Sequence, residues 1–198
     1  MTTPPTASQT VGPFFHLGMS YLERKNLVAE GTAGERVTIR GKVLDGDANP
    51  VPDAMLEIWQ ADSAGRYLGE IFPRNSAAPR FLGFGRVETD DNGEFTFTTI
   101  KPGRVRSPDG SLQAPHIVVT LFSRGLLKPL LTRVYFADEP SNAEDAVLKL
   151  VPPERRPTLM ATPSGEPGAR NMPPNVPPNI FDWKIMMQGD RETVFFDY

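Results

Sequence analysis

Apolar and polar side chains alternate along the first half of the chain in a way that predicts β-strands. Over residues 37–43 every second side chain is apolar, apart from a glycine at position 41, and a period of two is typical of a strand with one buried face. Similar runs at 55–60, 80–87 and 94–100 predict three more strands. Asn92-Gly93 stands between the last two runs, and this pair favours a tight hairpin turn. The stretch is therefore predicted to form the first half of a β-sandwich.

The second half of the chain predicts the strands that complete this sandwich. Residues 116–122 are almost continuously apolar, which is typical of a central strand covered on both faces. Residues 130–136 predict a neighbouring strand, on which Leu131, Arg133 and Tyr135 share one face. Alternation over 181–188 and an apolar segment at 192–198 predict two further strands.

Helix signals are few, and turn formers are abundant. Ser141 followed by Glu144 matches a capping box and predicts a short helix from Ser141 to Leu150. The 21 prolines and 17 glycines, about a fifth of the chain, favour many turns and long loops, and the proline-rich residues 157–178 predict one such loop. The predicted fold is all-β: an antiparallel β-sandwich core with long loops and one or two short helices.

Two regions are expected in the chain. Residues 1–36 are predicted to form an N-terminal arm, since two adjacent phenylalanines near its middle, Phe14 and Phe15, need a surface to cover them. A partner chain is one such surface and the chain's own sandwich is the other. Residues 37–198 are predicted to form a single sandwich domain, because a chain of 198 residues is of single-core size.

Composition excludes several classes of function. A net charge of −3 without a basic cluster argues against nucleic-acid binding. No apolar run approaches the roughly 20 residues of a membrane-spanning helix. The absence of cysteine excludes disulfides, thiolate metal sites and a cysteine nucleophile. The first residues lack the charged and apolar regions of a signal peptide, and a cytoplasmic location is predicted.

Candidate chemistry is sparse when residues are considered one by one. His16 and His116 are the only histidines, and Val118 stands where a second strand histidine would complete a ligand pair with His116. We therefore interpret His116 as a histidine whose hydrogen bonds are satisfied at the start of a strand. Arg133 lies in an apolar strand, so its guanidinium needs an acceptor such as a carboxylate. On the residues alone, an exposed strand face or an ion pair with a neighbouring chain is the preferred explanation of Arg133.

A set of ordered motifs extends this picture. In chain order they are Gly41-Lys42-Val43-Leu44-Asp45, Pro50-Val51-Pro52-Asp53-Ala54, Glu57-Ile58-Trp59-Gln60-Ala61-Asp62, Gly65-Arg66-Tyr67, Thr89-Asp90-Asp91-Asn92-Gly93, Thr99-Ile100-Lys101-Pro102-Gly103 and Ala114-Pro115-His116-Ile117. Together they resemble the intradiol ring-cleavage dioxygenases, a family with non-haem ferric iron in a β-sandwich. The resemblance runs from about residue 8 to the C-terminus.

The resemblance also indicates what this chain lacks. In the family, iron is held by two tyrosines and two histidines, one tyrosine following Lys-Pro-Gly and the histidines forming a His-x-His pair. Here Arg104 and Val105 follow Gly103, and Val118 takes the place of the second histidine. The resemblance thus implies a chain that binds no iron itself, with Fe(3+) held by a homologous partner chain.

Site residues and reaction follow from the same resemblance. The arm residues Thr10, Gly12, Pro13 and Phe14, together with Arg133, match positions that complete the substrate pocket of the iron-bearing partner. No residue of this chain is expected to be catalytic or to bind metal. The implied reaction inserts both atoms of O2 into protocatechuate and gives 3-carboxymuconate, within an (alpha-beta)n assembly of this chain and its homologous partner.

Two alternatives remain at this level. A self-sufficient dioxygenase with unusual iron ligands is one, although the missing ligands oppose it. The other is a non-enzymatic, transthyretin-like β-sandwich binding module, because Gly-x-Val-x-Asp followed by Pro-Val also occurs in such folds.

Overall fold

The computed structural model describes residues 7, 10–12, 18, 20–67, 81–164 and 179–197. Within these residues lie one short α-helix, α1 (Ala146–Leu150), and 3₁₀ turns at Ser20–Leu22, Pro140–Ala143 and Arg156–Leu159. The strands are β1 (Arg36–Leu44), β2 (Met55–Trp59), β3 (Phe84–Glu88), β4 (Glu94–Ile100), β5 (Val105–Arg106), β6 (Leu112–Gln113), β7 (His116–Phe122), β8 (Leu130–Phe136), β9 (Met160–Pro163) and β10 (Asn179–Met186). None of the helices in these ranges is long and apolar enough to cross a membrane.

Eight of these strands form one continuous sheet in the order β3-β2-β7-β8-β9-β10-β1-β4. Strand β9 joins the two halves of this sheet. Its first residues, Met160 and Ala161, pair with β8, and its last residues, Thr162 and Pro163, pair with β10. Strands β5 and β6 form a separate hairpin. The sheet folds back on itself because one short strand serves both halves.

The edge strands β3 and β4 are bridged by the segment before β1. Arg24 pairs with Arg86 of β3 in the antiparallel sense, and Asn26 pairs with Thr98 of β4 in the parallel sense. Backbone hydrogen bonds from Leu27 N to Thr98 O (2.9 Å) and from Arg24 N to Arg86 O (2.7 Å) hold the segment in place. This bridging segment, residues 24–28, gives the sandwich an almost closed, barrel-like section.

The core lies between the two halves of the sheet and takes alternate residues from each strand. From β1 it receives Val37, Ile39 and Val43, and from β7 it receives Ile117, Val119 and Leu121. Aromatic rings join the layers, with Phe136 edge-on to Phe181 at a centroid distance of 5.1 Å. The other face of β7 and β8 is consequently left for a second set of contacts.

Most strand predictions are confirmed, and the all-β sandwich is confirmed with them. The structure adds two parallel pairs, β1 with β10 and β8 with β9, to the predicted antiparallel arrangement. Residues 105–113 were predicted to form a loop, but they contain the β5–β6 hairpin. The division into an arm and a domain at residue 36 stays a prediction, although residues 24–28 pack on the chain's own sandwich.

Three further predictions were wrong. Strand β9 (Met160–Pro163) lies within residues 157–178, which were predicted to form a loop. The segment 192–198 was predicted as a strand, but its described residues, 192–197, form no strand; isolated bonds such as Phe196 N to Leu131 O (2.7 Å) hold them on the sandwich. The helix predicted from Ser141 begins only at Ala146, because the Asp145 carboxylate, not the Ser141 hydroxyl, caps it by accepting from Leu148 N at 2.8 Å. Ser141 belongs to a preceding 3₁₀ turn capped by Glu139.

Candidate functional site

The face of β7 and β8 that points away from the core carries the chain's candidate chemistry. The register places Trp59 beside Val118 and Val118 beside Arg133, so three neighbouring strands contribute one side chain each to a row. One step along, His116 lies beside Tyr135. We call the group of Arg133, Tyr135, His116 and Val118 the outer-face cluster.

Arg133 is half-buried, and its guanidinium has defined partners. Its Nη1 donates to Gln113 Oε1 at 2.6 Å and approaches the Tyr135 hydroxyl at 3.4 Å. The guanidinium carbon lies 5.9 Å from the centre of the Phe196 ring, within range of a cation–π contact. The arginine is therefore packed and oriented by the chain itself, and the interpretation as a solvated surface arginine is wrong.

Tyr135 connects Arg133 to the start of helix α1. Its side chain is fully buried, and its hydroxyl donates to Asp145 Oδ1 at 3.4 Å. Burial raises the pKa of Tyr135 above its ordinary value, so the phenol keeps its proton. The buried Asp145 also accepts from Ala114 N at 2.7 Å and from Leu148 N at 2.8 Å. One carboxylate thus links β8, the residue that follows β6, and the helix.

His116 is buried beside this tyrosine. Only 2% of its surface is exposed, and its Nδ1 donates to Ala114 O at 2.8 Å. Burial lowers the pKa of His116 to about 4, and the positive charge of Arg133 acts in the same direction. The imidazole is consequently neutral at pH 7, and its hydrogen bond confirms the interpretation of His116 as a satisfied histidine at the start of a strand.

Two of the four predicted arm residues lie in the described part of the chain. Thr10 Oγ1 accepts a hydrogen bond from Gly125 N at 2.9 Å, which places Thr10 on the loop between β7 and β8. Gly12 is exposed, and a Cβ added to it would meet nothing within 4 Å. Pro13 and Phe14 lie outside the described residues. The structure therefore brings Thr10 to the loop that leads into the strand of Arg133.

Sequence reasoning missed three residues around this face. Gln113 and Asp145 are polar residues in segments predicted as loop and helix, and nothing in their spacing connects them to Arg133. Trp59 belongs to the strand predicted over 55–60 and to a family motif, but no functional role was predicted for it. It is 39% exposed and stacks on Tyr67 with ring centroids 5.8 Å apart, so the outer face ends in an aromatic surface. The alternation within β2 was the available signal, because it places Trp59 on the outer face.

Comparison with known proteins identifies the family. A family profile described as Dioxygenase matches residues 11–175, most of the chain. The protocatechuate 3,4-dioxygenase alpha chain of Burkholderia cepacia is 43% identical, with 99% of this chain and 98% of that protein covered. The chain belongs to the intradiol ring-cleavage dioxygenase family. This membership decides against the transthyretin-like binding module.

Two further members of the intradiol family resemble the chain. The protocatechuate 3,4-dioxygenase beta chain of Burkholderia cepacia is 36% identical over 69% of this chain and 60% of that protein. The crystal structure of 3-chlorocatechol 1,2-dioxygenase from Rhodococcus opacus superposes with a TM-score of 0.64, at 22% identity, over 94% of this chain and 69% of that chain. The second comparison concerns the fold alone, and it agrees with the sandwich described above.

Intradiol dioxygenases use ferric iron, but the residues at the family's ligand positions here do not fit that ion. Val118 offers no donor atom, and Arg104, in the segment where the family has a tyrosine, forms an ion pair with Glu144 at 3.0 Å. His116 is therefore a single imidazole without the second histidine of the family's pair. Across the ranges that the structure describes, no three His, Cys, Asp or Glu side chains form a group that could hold a metal ion.

Proposed function

We propose that this chain is the non-iron alpha subunit of a protocatechuate 3,4-dioxygenase. The observation that carries the proposal is its 43% identity to such an alpha chain over nearly the whole of both proteins. Its partner is a beta chain, and the separate similarity to a beta chain supports an assembly of two homologous chains. The enzyme cleaves protocatechuate between its hydroxyl carbons with O2 and yields 3-carboxymuconate. The proposal keeps the cytoplasmic location, which the absence of cysteine supports.

The proposal assigns the iron to the beta chain. Ferric iron there supplies the activation of the catecholate, and this chain contributes no ligand to it. Val118, which offers no donor atom where the family has its second histidine, supports this assignment. The role left to the alpha chain is to line the substrate pocket of its partner and to supply that pocket with a positive charge.

Arg133 is the residue proposed to recognise the substrate carboxylate. The planar guanidinium can bind a carboxylate through parallel hydrogen bonds, and here it is held on the outer face by Gln113 and Tyr135. Thr10, Gly12, Pro13 and Phe14 are proposed to line the same pocket from the arm. The hydrogen bond between Thr10 and Gly125 supports a position of the arm beside the loop that precedes β8.

The test is the substitution Arg133→Ala in the alpha–beta enzyme. A charge-assisted hydrogen bond shielded from water contributes roughly 1.5–3 kcal/mol, or about a ten- to hundredfold difference in affinity. We expect the KM for protocatechuate to rise by about that factor, with iron content and assembly unchanged. Arg133→Lys should recover only part of the loss, because an ammonium keeps the charge without the planar fork.

Catechol is the control substrate, because it has no carboxylate. Its kcat/KM should stay nearly unchanged in both variants. Equal impairment of protocatechuate and catechol would assign Arg133 to structure or to the subunit interface, and the role in carboxylate binding would be abandoned.

A further inference from the structure

A short hydrogen bond of the Arg133 guanidinium comes from the small hairpin and not from the main sheet. Gln113, the last residue of β6, places its Oε1 2.6 Å from Arg133 Nη1. The two residues are twenty positions apart and belong to different sheets. A charged donor and a carbonyl acceptor at this distance form a strong hydrogen bond, stronger than one between neutral groups.

The amide of Gln113 is itself held in one orientation. Its Nε2 donates to Ser107 Oγ at 2.9 Å, across the hairpin. Because Arg133 has only donors, the amide oxygen must face it and the amide nitrogen must face Ser107. The turn is closed by the hydrogen bond from Ser107 N to Ser111 O at 2.8 Å. The hairpin thus presents an acceptor of fixed direction to the arginine.

Tyr135 contacts the same nitrogen. Its hydroxyl lies 3.4 Å from Nη1, and this hydroxyl is in turn directed by the buried Asp145. The Phe196 ring packs against the guanidinium at 5.9 Å. Two acceptors thus hold one nitrogen of the guanidinium, and an aromatic ring packs against it. Together these contacts fix the orientation of this rigid, planar group.

We propose that Gln113 is a positioning residue for Arg133 and thereby a determinant of specificity for carboxylated catechols. The inference rests on the proposed function, in which Arg133 binds the substrate carboxylate. A guanidinium that is already ordered loses little conformational entropy when the carboxylate arrives, so its affinity is higher than that of a mobile one. The hairpin that follows Lys101-Pro102-Gly103 therefore serves the partner's substrate and not a metal ion.

The experiment compares two substitutions of Gln113 in the assembled alpha–beta enzyme. Gln113→Leu removes the acceptor, and we expect the KM for protocatechuate to rise about three- to tenfold with kcat unchanged. Gln113→Glu keeps an acceptor but neutralises the arginine, and it should raise this KM by about tenfold or more. For both variants the kcat/KM for catechol should stay within about twofold of the parent value. A variant that had lost its fold would instead lose activity towards both substrates.

A matched control and a double variant complete the test. Ser111→Ala alters the same hairpin by removing a hydroxyl that donates to Asp109 Oδ1 at 2.7 Å. The KM and kcat for protocatechuate and for catechol should both stay at the parent values. Gln113→Leu added to Arg133→Ala should have no further effect on protocatechuate, because its action passes through the arginine.

The two proposals fail in different ways. An Arg133→Ala variant without selective loss of protocatechuate would overturn the proposed function of the arginine. If Arg133→Ala does impair protocatechuate selectively, three results would overturn the positioning role alone. Gln113→Leu could have no effect, it could impair both substrates equally, or its effect could add in full to that of Arg133→Ala in the double variant.

Discussion

At the scale of single residues, the environment of His116 makes stability depend on pH. Its pKa is lowered from an ordinary value of 6.5 to about 4, first by burial and then by the charge of Arg133. Between these two values the unfolded chain binds a proton that the folded chain does not. The free energy of unfolding therefore falls as the pH drops through this window, and above pH 6.5 His116 contributes no pH dependence.

The substitution His116→Phe removes this titration and keeps an aromatic ring in the site. At pH 5 the protonation of His116 in the unfolded chain should lower the stability of the parent by about 2 kcal/mol relative to pH 7. Urea unfolding at both values measures the difference, and the variant should show a change smaller by about that amount. Parallel pH dependence in parent and variant would show that His116 is protonated in the folded chain as readily as in the unfolded one.

The residues of the outer face divide into those that sequence could indicate and those that it could not. Arg133 stands out because a charged side chain in an apolar strand needs an acceptor, and the strand period assigns it to the same face as Tyr135. Its acceptor, Gln113, could not be found in this way. The contact depends on how the β5–β6 hairpin folds over the sheet, and a short hairpin leaves little periodicity to read.

At the scale of elements, helix α1 shows how a local signal is overruled by tertiary contacts. Ser141 and Glu144 have the spacing of a capping box, but Glu144 pairs with Arg104 and Ser141 Oγ donates to Glu139 at 2.7 Å. Asp145 caps the helix, because its buried carboxylate meets both Leu148 N and Ala114 N. The second of these donors lies 31 positions away, so no local pattern could include it.

Substitutions of the two candidate caps, Asp145 and Ser141, should lower the free energy of unfolding by different amounts. Asp145→Ala removes the cap and leaves the buried Ala114 N–H without its acceptor, which should lower the free energy of unfolding by about 2–4 kcal/mol. Ser141→Ala should cost less than about 1 kcal/mol, since its hydroxyl serves only a 3₁₀ turn. Urea unfolding of the two variants measures both values. A larger loss for Ser141→Ala would mean that the helix starts where the sequence pattern places it.

The strands were predicted more securely than their connections. A period of two marks a strand whatever its partner, so β1, β2, β4, β7, β8 and β10 were identified with small shifts of their ends. The C-terminal apolar residues were different. Phe195 packs against the main core, while Val194 and Phe196 pack against a second cluster around Leu148 and Leu159. Their side chains alternate between two clusters as they would in a strand, but the backbone forms no ladder and makes isolated hydrogen bonds such as Phe196 N to Leu131 O.

At the scale of the whole molecule, the unsuitable ligand positions predict the metal content of the purified chain. Expressed without the proposed beta partner, the chain should be colourless and contain far less than one iron per molecule, because Val118 supplies no ligand and Arg104 and Val105 stand where the family has a tyrosine. Metal analysis and a visible spectrum measure this directly. Co-expression with the beta chain should yield a coloured complex that contains iron.

The opposite result is easy to recognise. A broad visible absorption band in the isolated chain, of the kind produced by tyrosinate bound to ferric iron, would place a metal site in this subunit. The assignment of iron to the beta chain would then be wrong.

The position of β1 in the sheet constrains when the chain can fold during its synthesis. β1 lies between β4 and β10, and its parallel register joins Val37 to Asn179 and Leu44 to Met186. One side of the strand therefore lacks its partner until the ribosome has added about 140 more residues. Such distant pairings close late and slowly. The nascent chain consequently keeps an open strand edge, a site for wrong pairing, while those residues are being added.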